Sequence, residues 1–242
     1  MENQRLFSLE ERKAGHQAFL DDINNTRVYD VDIRVSMSIP IEKTSRVIAS
    51  TIKEGDKVLD VGCSTGLVTL MAAMAAPACH ITGIEDNNNL VTVAGENFCL
   101  VSMMQGAMKN ASKGMPGCAN VDFKYSNISK LPFPDNSMDV VYSFARMHRW
   151  DNPVKVFKEI KRVCKKNGII YICDTARNAS EGMVSFILQY TGRGAKEFME
   201  ELKASYTTFE AEEMLKESGL GELDIYLDGV NMVITNSELP IT

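Results

Sequence analysis

No two of the six cysteines in this 242-residue chain stand in C-x-x-C spacing, and positions 63, 79, 99, 118, 164 and 173 form no tight cluster. That argues against structural zinc and against a disulfide framework, and fits reduced, mostly buried thiols in a cytoplasmic protein. A chain of this length buries roughly 70–75% of its unfolded surface and needs no covalent staples. Positive charge is also short. The 26 basic residues against 32 acidic ones leave a net charge of −6, which speaks against a broad nucleic-acid-binding face. Long apolar runs are missing: Leu67 to Cys79, the most apolar stretch, is broken by Pro77 and too short to cross a bilayer. The opening Met1-Glu-Asn-Gln-Arg5 has no signal-peptide core. With no repeat and no low-complexity tract, the chain reads as a single soluble domain over 1–242 without a membrane partner, its oligomeric state open.

What is present is an alternation of strand and helix patterns. Ser8 and Glu11 form a capping box opening a polar helix over 8–24, and a second helix follows Pro40 with Ile41, Val47, Ile48 and Ile52 on its apolar side. Lys57–Val61, His80–Glu85, Val121–Tyr125, Met138–Phe144 and Ile169–Cys173 read as strands. Helices fall between them at Leu67–Ala76, from Leu90 to Met104, and after Asn152-Pro153. Strands separated by helices this often predict an α/β fold, a doubly wound Rossmann-like, mostly parallel sheet. The last third differs. Helical spacings around Phe186, Leu202 and the capped Thr207–Glu217 precede a hairpin in which Asp228-Gly229 joins Leu223–Leu227 to Val230–Thr235. The expected division is an N-terminal helical extension over 1–44, a cofactor-binding core over 45–175, a helical cap over 176–206, and a C-terminal helix and antiparallel hairpin over 207–242.

The segment Val58-Leu-Asp-Val-Gly-Cys-Ser-Thr-Gly-Leu-Val-Thr69 carries the most chemistry. Glycine at 62 and 66, between a strand and a helix, lets a ligand approach the backbone. The next strand ends in Glu85-Asp86, 25 residues beyond Asp60 at Glu85, where an acid can accept hydrogen bonds from both hydroxyls of a ribose. The loop lacks the G-x-G-x-x-G spacing that seats a pyrophosphate. An adenosine ligand without one fits better.

Here the sequence resembles the class I S-adenosylmethionine-dependent methyltransferases, most closely their small-molecule branch. Asp60, Gly62 and Gly66 match the family's acid-x-Gly-x-Gly-x-Gly motif, with Ser64 in place of the middle glycine. Leu131-Pro-Phe-Pro-Asp-Asn-Ser-Met-Asp-Val-Val141 resembles the approach to the fourth strand, and Lys158 to Gly168 the helix and turn before the fifth, with Lys166-Asn167-Gly168 for the usual Pro-Gly-Gly. The resemblance covers about residues 45–175. It implies S-adenosylmethionine as cofactor, with Asp60 near the methionine amino group, Glu85 and Asp86 at the ribose, and Asn127 at the adenine edge. Backbone atoms of Gly62, Ser64, Ile128 and Phe144 would line the remainder, with Cys63 a small residue of the loop.

Methyl transfer from a sulfonium is an in-line displacement, so the protein mainly positions the reactants, and a base is needed only for a protonated acceptor. Ser143-Phe-Ala-Arg-Met-His-Arg-Trp150 lies just past the fourth strand, where such sheets bind ligands. His148 is the candidate catalytic base, and Arg146 and Arg149 are candidates to hold an anionic part of the substrate. No metal is expected, because Asp174 has no matching carboxylate. The expected partner is a small-molecule acceptor. A peptide side chain as acceptor and a non-catalytic S-adenosylmethionine-binding regulator are the two alternatives.

Overall fold

The computed structural model describes residues 11–13, 18–111, 120–191 and 194–237; Ser8, Cys118 and Gly192-Arg193 lie outside them. Seven strands form one sheet: β1 (Lys57–Val61), β2 (His80–Glu85), β3 (Val121–Tyr125), β4 (Met138–Phe144), β5 (Cys164–Thr175), β6 (Asp224–Asp228) and β7 (Asn231–Thr235), in the order β3-β2-β1-β4-β5-β7-β6. The first five are parallel, while β7 runs antiparallel to both β5 and β6. The hairpin therefore inserts its second strand against β5 and leaves β6 at the edge.

Two details of register depart from the sequence reading. Asp228 pairs with Asn231, so the hairpin turn is Gly229-Val230, one residue later than expected. Gly229, at φ +66°, takes the positive-φ position that a two-residue turn needs. The fifth strand begins at Cys164 rather than Ile169, because Cys164 pairs with Met138 before an irregularity brings Val140 opposite Ile169. Gly168 makes that irregularity possible: a Cβ there would stand 2.7 Å from Cys164 Sγ and 2.9 Å from Asp139 O.

Helices cover both faces. On one, α5 (Pro153–Val163), capped by Asn152, buries Val156, Phe157, Ile160 and Val163 together with Leu215 of α8 (Thr208–Ser218). Each such side chain contributes about 1.5–3 kcal/mol on full burial. The Thr207–Glu210 capping box that starts α8 is present in both directions. On the other face α2 (Ser38–Thr51) and α3 (Leu67–Ala75) pack Ile41, Ile48, Leu70 and Ala72 against Val58, Ile81, Val140 and Tyr142. A smaller cluster of Ala179, Val184 and Leu202 joins α6 (Glu181–Thr191) and α7 (Ala195–Ala204).

The N-terminal region departs most from the expected 8–24 helix. Ala18–Asp21 is a short 3-10 turn, and Asp22 then accepts from the Asn24 and Asn25 amides to start α1 (Ile23–Ser36). The buried positions of α1 are polar, Thr26 and Asp30, while Val28, Val31 and Val35 are exposed. Thr26 Oγ1 donates to Leu20 O, and Asp30 accepts from Asn97 Nδ2 of α4 (Asn88–Ala111) at 2.9 Å. The buried positions of α1 are thus held to the body by hydrogen bonds rather than by apolar packing.

Candidate active site

The strand order reverses between β1 and β4, and the carboxyl ends of these strands form the crevice where open α/β sheets place ligands. The loop after β1 is folded back tightly. The amides of Gly62 and Cys63 donate to Ile84 O at 2.8 and 3.1 Å, and Gly62, Ser64 and Gly66 take φ of +78°, +52° and +77°. For Gly66 the conformation and the space agree, since a Cβ would meet the Phe123 ring at 2.5 Å.

Asp60 ends β1 almost fully buried. Its Oδ2 accepts from Thr69 Oγ1 at 2.6 Å, and its Oδ1 has no partner. Burial, only partly opposed by the Thr69 hydroxyl and by the nearby Tyr142 hydroxyl, pushes this carboxyl up to about 7. Glu85, at the end of β2, is wholly buried. Oε2 accepts from the Ser64 amide at 2.9 Å; Oε1 accepts from the Asp86 amide at 3.0 Å and from Arg146 Nη2 at 2.9 Å. Burial and the neighbouring Glu85 raise Asp86 to about 6. Cys63 is buried among acids and its thiol is pushed well up, the opposite of a thiolate nucleophile.

After β4 the chain turns through Ala145, at φ +52°, into the 3-10 turn Met147–Arg149. His148 is 2% exposed, and its ring Nδ1 lies 2.7 Å from Asp174 Oδ1. Arg149 Nε donates to His148 Nε2 at 2.9 Å, so Nε2 is the accepting nitrogen and the hydrogen-bond pattern assigns the proton to Nδ1. Arg149 continues to Glu201 of α7 at 2.5 Å, and Arg12 donates to the carbonyls of His148 and Ala204, both at 2.6 Å. This chain of contacts ties β5, the post-β4 turn and the 176–206 region together.

The crevice brings together Asp60, Gly62, Cys63, Ser64, Phe144 and Arg146. Glu85 lies beneath it, joined through Ser64 and Arg146. Asn127 stands at the end of β3 with its side-chain oxygen accepting from the Ser129 amide, and Ile128 is buried in the core. His148 and Arg149 are not among the lining residues. Tyr29, Ile33 and Met37 are, and sequence reading missed them. Their signal was present, since they recur every fourth residue and so share one face of a helix. The space wide enough for a water molecule is about 40 Å³. The unpartnered Asp60 Oδ1 and Ser64 Oγ, beside a glycine loop, nevertheless fit the polar end of the expected donor: a carboxylate for an ammonium and a hydroxyl for a carboxylate. Among the described residues no three His, Cys, Asp or Glu side chains are grouped to hold a metal ion, and no helix is long and apolar enough to cross a membrane.

A family model described as a methyltransferase domain matches residues 52–219. A methyltransferase of Schizosaccharomyces pombe is 30% identical over 132 residues, covering 54% of this chain and 44% of that protein. A demethylmenaquinone methyltransferase of Listeria welshimeri is 30% identical over 127 residues, 52% of this chain and 48% of that one. The chain thus spans about half the length of these curated relatives. The solved structure of an S-adenosylmethionine-dependent methyltransferase from Aquifex aeolicus superposes with a TM-score of 0.60 at 20% identity, covering 88% of this chain and 97% of that chain; it shows the shared fold. The match over residues 52–219, on this strand order and this glycine loop, means that the chain belongs to the methyltransferase domain family, with the class I S-adenosylmethionine-dependent fold.

Proposed function

We propose that the protein transfers a methyl group from S-adenosylmethionine to a small acceptor with an apolar body. The observation that carries this reading is the stripe Tyr29, Ile33 and Met37 facing the glycine loop and Phe144 across the crevice. A roofed crevice with apolar walls suits a small molecule, whereas a peptide side chain calls for an open groove that admits extended backbone. A relative named for demethylmenaquinone agrees with an acceptor of this kind.

The donor, when bound, supplies an electrophilic methyl group on sulfur. The chain's own residues hold and orient it. Asp60 Oδ1 receives the methionine ammonium, Glu85 the ribose hydroxyls with Asp86 beside it, and Asn127 and Ile128 border the adenine. Gly62 and Ser64 let the ligand lie against the loop. Arg149, whose guanidinium carbon is 5.9 Å from the Tyr29 ring centroid, braces the crevice from behind through His148 and Glu201. His148 acts as a positioning residue: with Nδ1 on Asp174 and Nε2 on Arg149, it fixes the turn that carries Phe144 to Arg149. The described cysteines are all free thiols, which suits work in the reducing cytoplasm.

The test is to incubate the purified protein with methyl-labelled S-adenosylmethionine and, separately, a metabolite panel and a peptide pool. Label should enter the small-molecule fraction, with one S-adenosylhomocysteine released per methyl transferred. Label confined to peptides would overturn the reading.

A further inference from the structure

The assignment of Glu85 to the ribose meets an obstacle in the molecule itself. An ionised carboxylate offers about four lone-pair positions. Glu85 already fills three of them, with the Ser64 amide, the Asp86 amide and Arg146 Nη2. A ribose brings two hydroxyl donors and needs two positions. Both cannot be satisfied while Arg146 stays.

Arg146 is paired with Glu85 but only partly satisfied where it lies. It is 4% exposed, yet its Nε and Nη1 have no partner, so a charged group with five N–H donors is buried largely unsatisfied, an expensive arrangement. Its side chain crosses the glycine loop. A Cβ on Gly62 would lie 3.0 Å from Arg146 Cβ and 3.1 Å from Cγ, so the surface a ligand would approach is covered by this arginine. The residue before it, Ala145, holds a left-handed φ of +52°, a strained conformation for a side-chain-bearing residue. Release would return the guanidinium to water.

We infer that Arg146 is a latch on the ribose-binding carboxylate, one that must swing away before both ribose hydroxyls can be held. The inference rests on the assignment of Glu85 to the ribose. Displacing Arg146 removes one charge-assisted bond from Glu85. A ligand with both ribose hydroxyls must displace Arg146 to find two positions, whereas a ligand with one hydroxyl can take the single position that is free. For the ligand with both hydroxyls the latch lowers the apparent affinity by the fraction of molecules that are unlatched.

The measurement is calorimetry with S-adenosylhomocysteine and its 2′-deoxyribose counterpart on the whole chain, comparing wild type, Arg146→Met and Glu85→Gln. Arg146→Met should bind S-adenosylhomocysteine about tenfold more tightly than wild type and should gain less affinity for the deoxy ligand, which needs only the free position on Glu85. Glu85→Gln should bind more weakly than wild type. Affinity unchanged or lowered in Arg146→Met, with wild-type binding intact, overturns the latch and leaves the donor site standing. Absence of binding by all three proteins overturns the donor site and the latch together. A second measurement follows association through the fluorescence of Trp150, the only tryptophan, four positions beyond Arg146. Because only unlatched molecules bind, Arg146→Met should associate with S-adenosylhomocysteine about tenfold faster than wild type. Equal association rates overturn the latch.

Discussion

At the scale of single residues, the site is distinguished by which polar atoms are satisfied and which are not. Asp60 Oδ1, Ser64 Oγ and two edges of Arg146 are buried without partners, while His148 has both ring nitrogens engaged. Buried polar atoms are normally paired, so an unpaired cluster marks a place prepared for a ligand. The paired histidine marks a place prepared for rigidity. His148→Asn should therefore destabilise the protein by about 1–3 kcal/mol, the usual range for a buried polar network losing a member. It should also lower kcat while leaving the shape of the pH–rate profile and the affinity for S-adenosylhomocysteine unchanged. Thermal unfolding, a pH series and calorimetry on one preparation check all three. Disappearance of the acid limb of the profile in the variant would make His148 the base instead, since that limb reports protonation of the accepting nitrogen.

At the scale of elements, α1 and the α6–α7 pair are attached in different ways. The first lays Tyr29 and Ile33 over the crevice and is held through Asp30, Asn97 and the carbonyl of Thr65 in the glycine loop. The second has a small core of its own, with Ala179, Val184 and Leu202 as its buried members, and reaches the site through Arg149–Glu201. Few buried apolar contacts mean low local stability, and lids are drawn from such units. Hydrogen exchange should show α1 gaining protection when S-adenosylhomocysteine binds. Residues 181–204 should gain it mainly when an acceptor is added. Equal exchange of α1 with and without ligand would remove its role as the roof.

At the scale of the whole molecule, the excess of acid matters because Asp60 is buried at the crevice and the exposed Asp86 stands next to the buried Glu85. Asp60 is raised to about 7 and Asp86 to about 6 from an ordinary 3.8, so the folded chain keeps protons that the unfolded chain releases. Their contribution to stability is full below pH 3.8 and is lost as the pH climbs towards about 7. On the proposed reading, the donor's ammonium calls for an ionised Asp60. Binding should therefore release a proton near neutral pH and tighten between about pH 6 and about pH 8. Calorimetry in two buffers of different ionisation heat measures this release. Identical heats in both buffers, or an Asp60→Asn variant that releases as many protons as wild type, would place the titration elsewhere.

The mostly parallel sheet, its seven strands, the glycine loop, and Asp60 before it with Glu85 after it were all legible in the chain. Strand alternation and the turn chemistry of glycine, proline and capping side chains act over a few neighbouring residues, and sequence records such short-range rules directly. Thus Asn152-Pro153 and Thr207–Glu210 cap helices where they were expected. What sequence alone could not give was set by contacts between distant segments. The start of β5 depends on Cys164 meeting Met138, and α1 depends on Asp30 meeting Asn97, 67 positions away. Arg146 and Glu85 are 61 positions apart, and each read separately suggests a ligand contact. Only the fold, by bringing the ends of β2 and β4 to one crevice, makes them partners. Burial then gives that pairing its strength, because the attraction between two charges grows as water is excluded from around them.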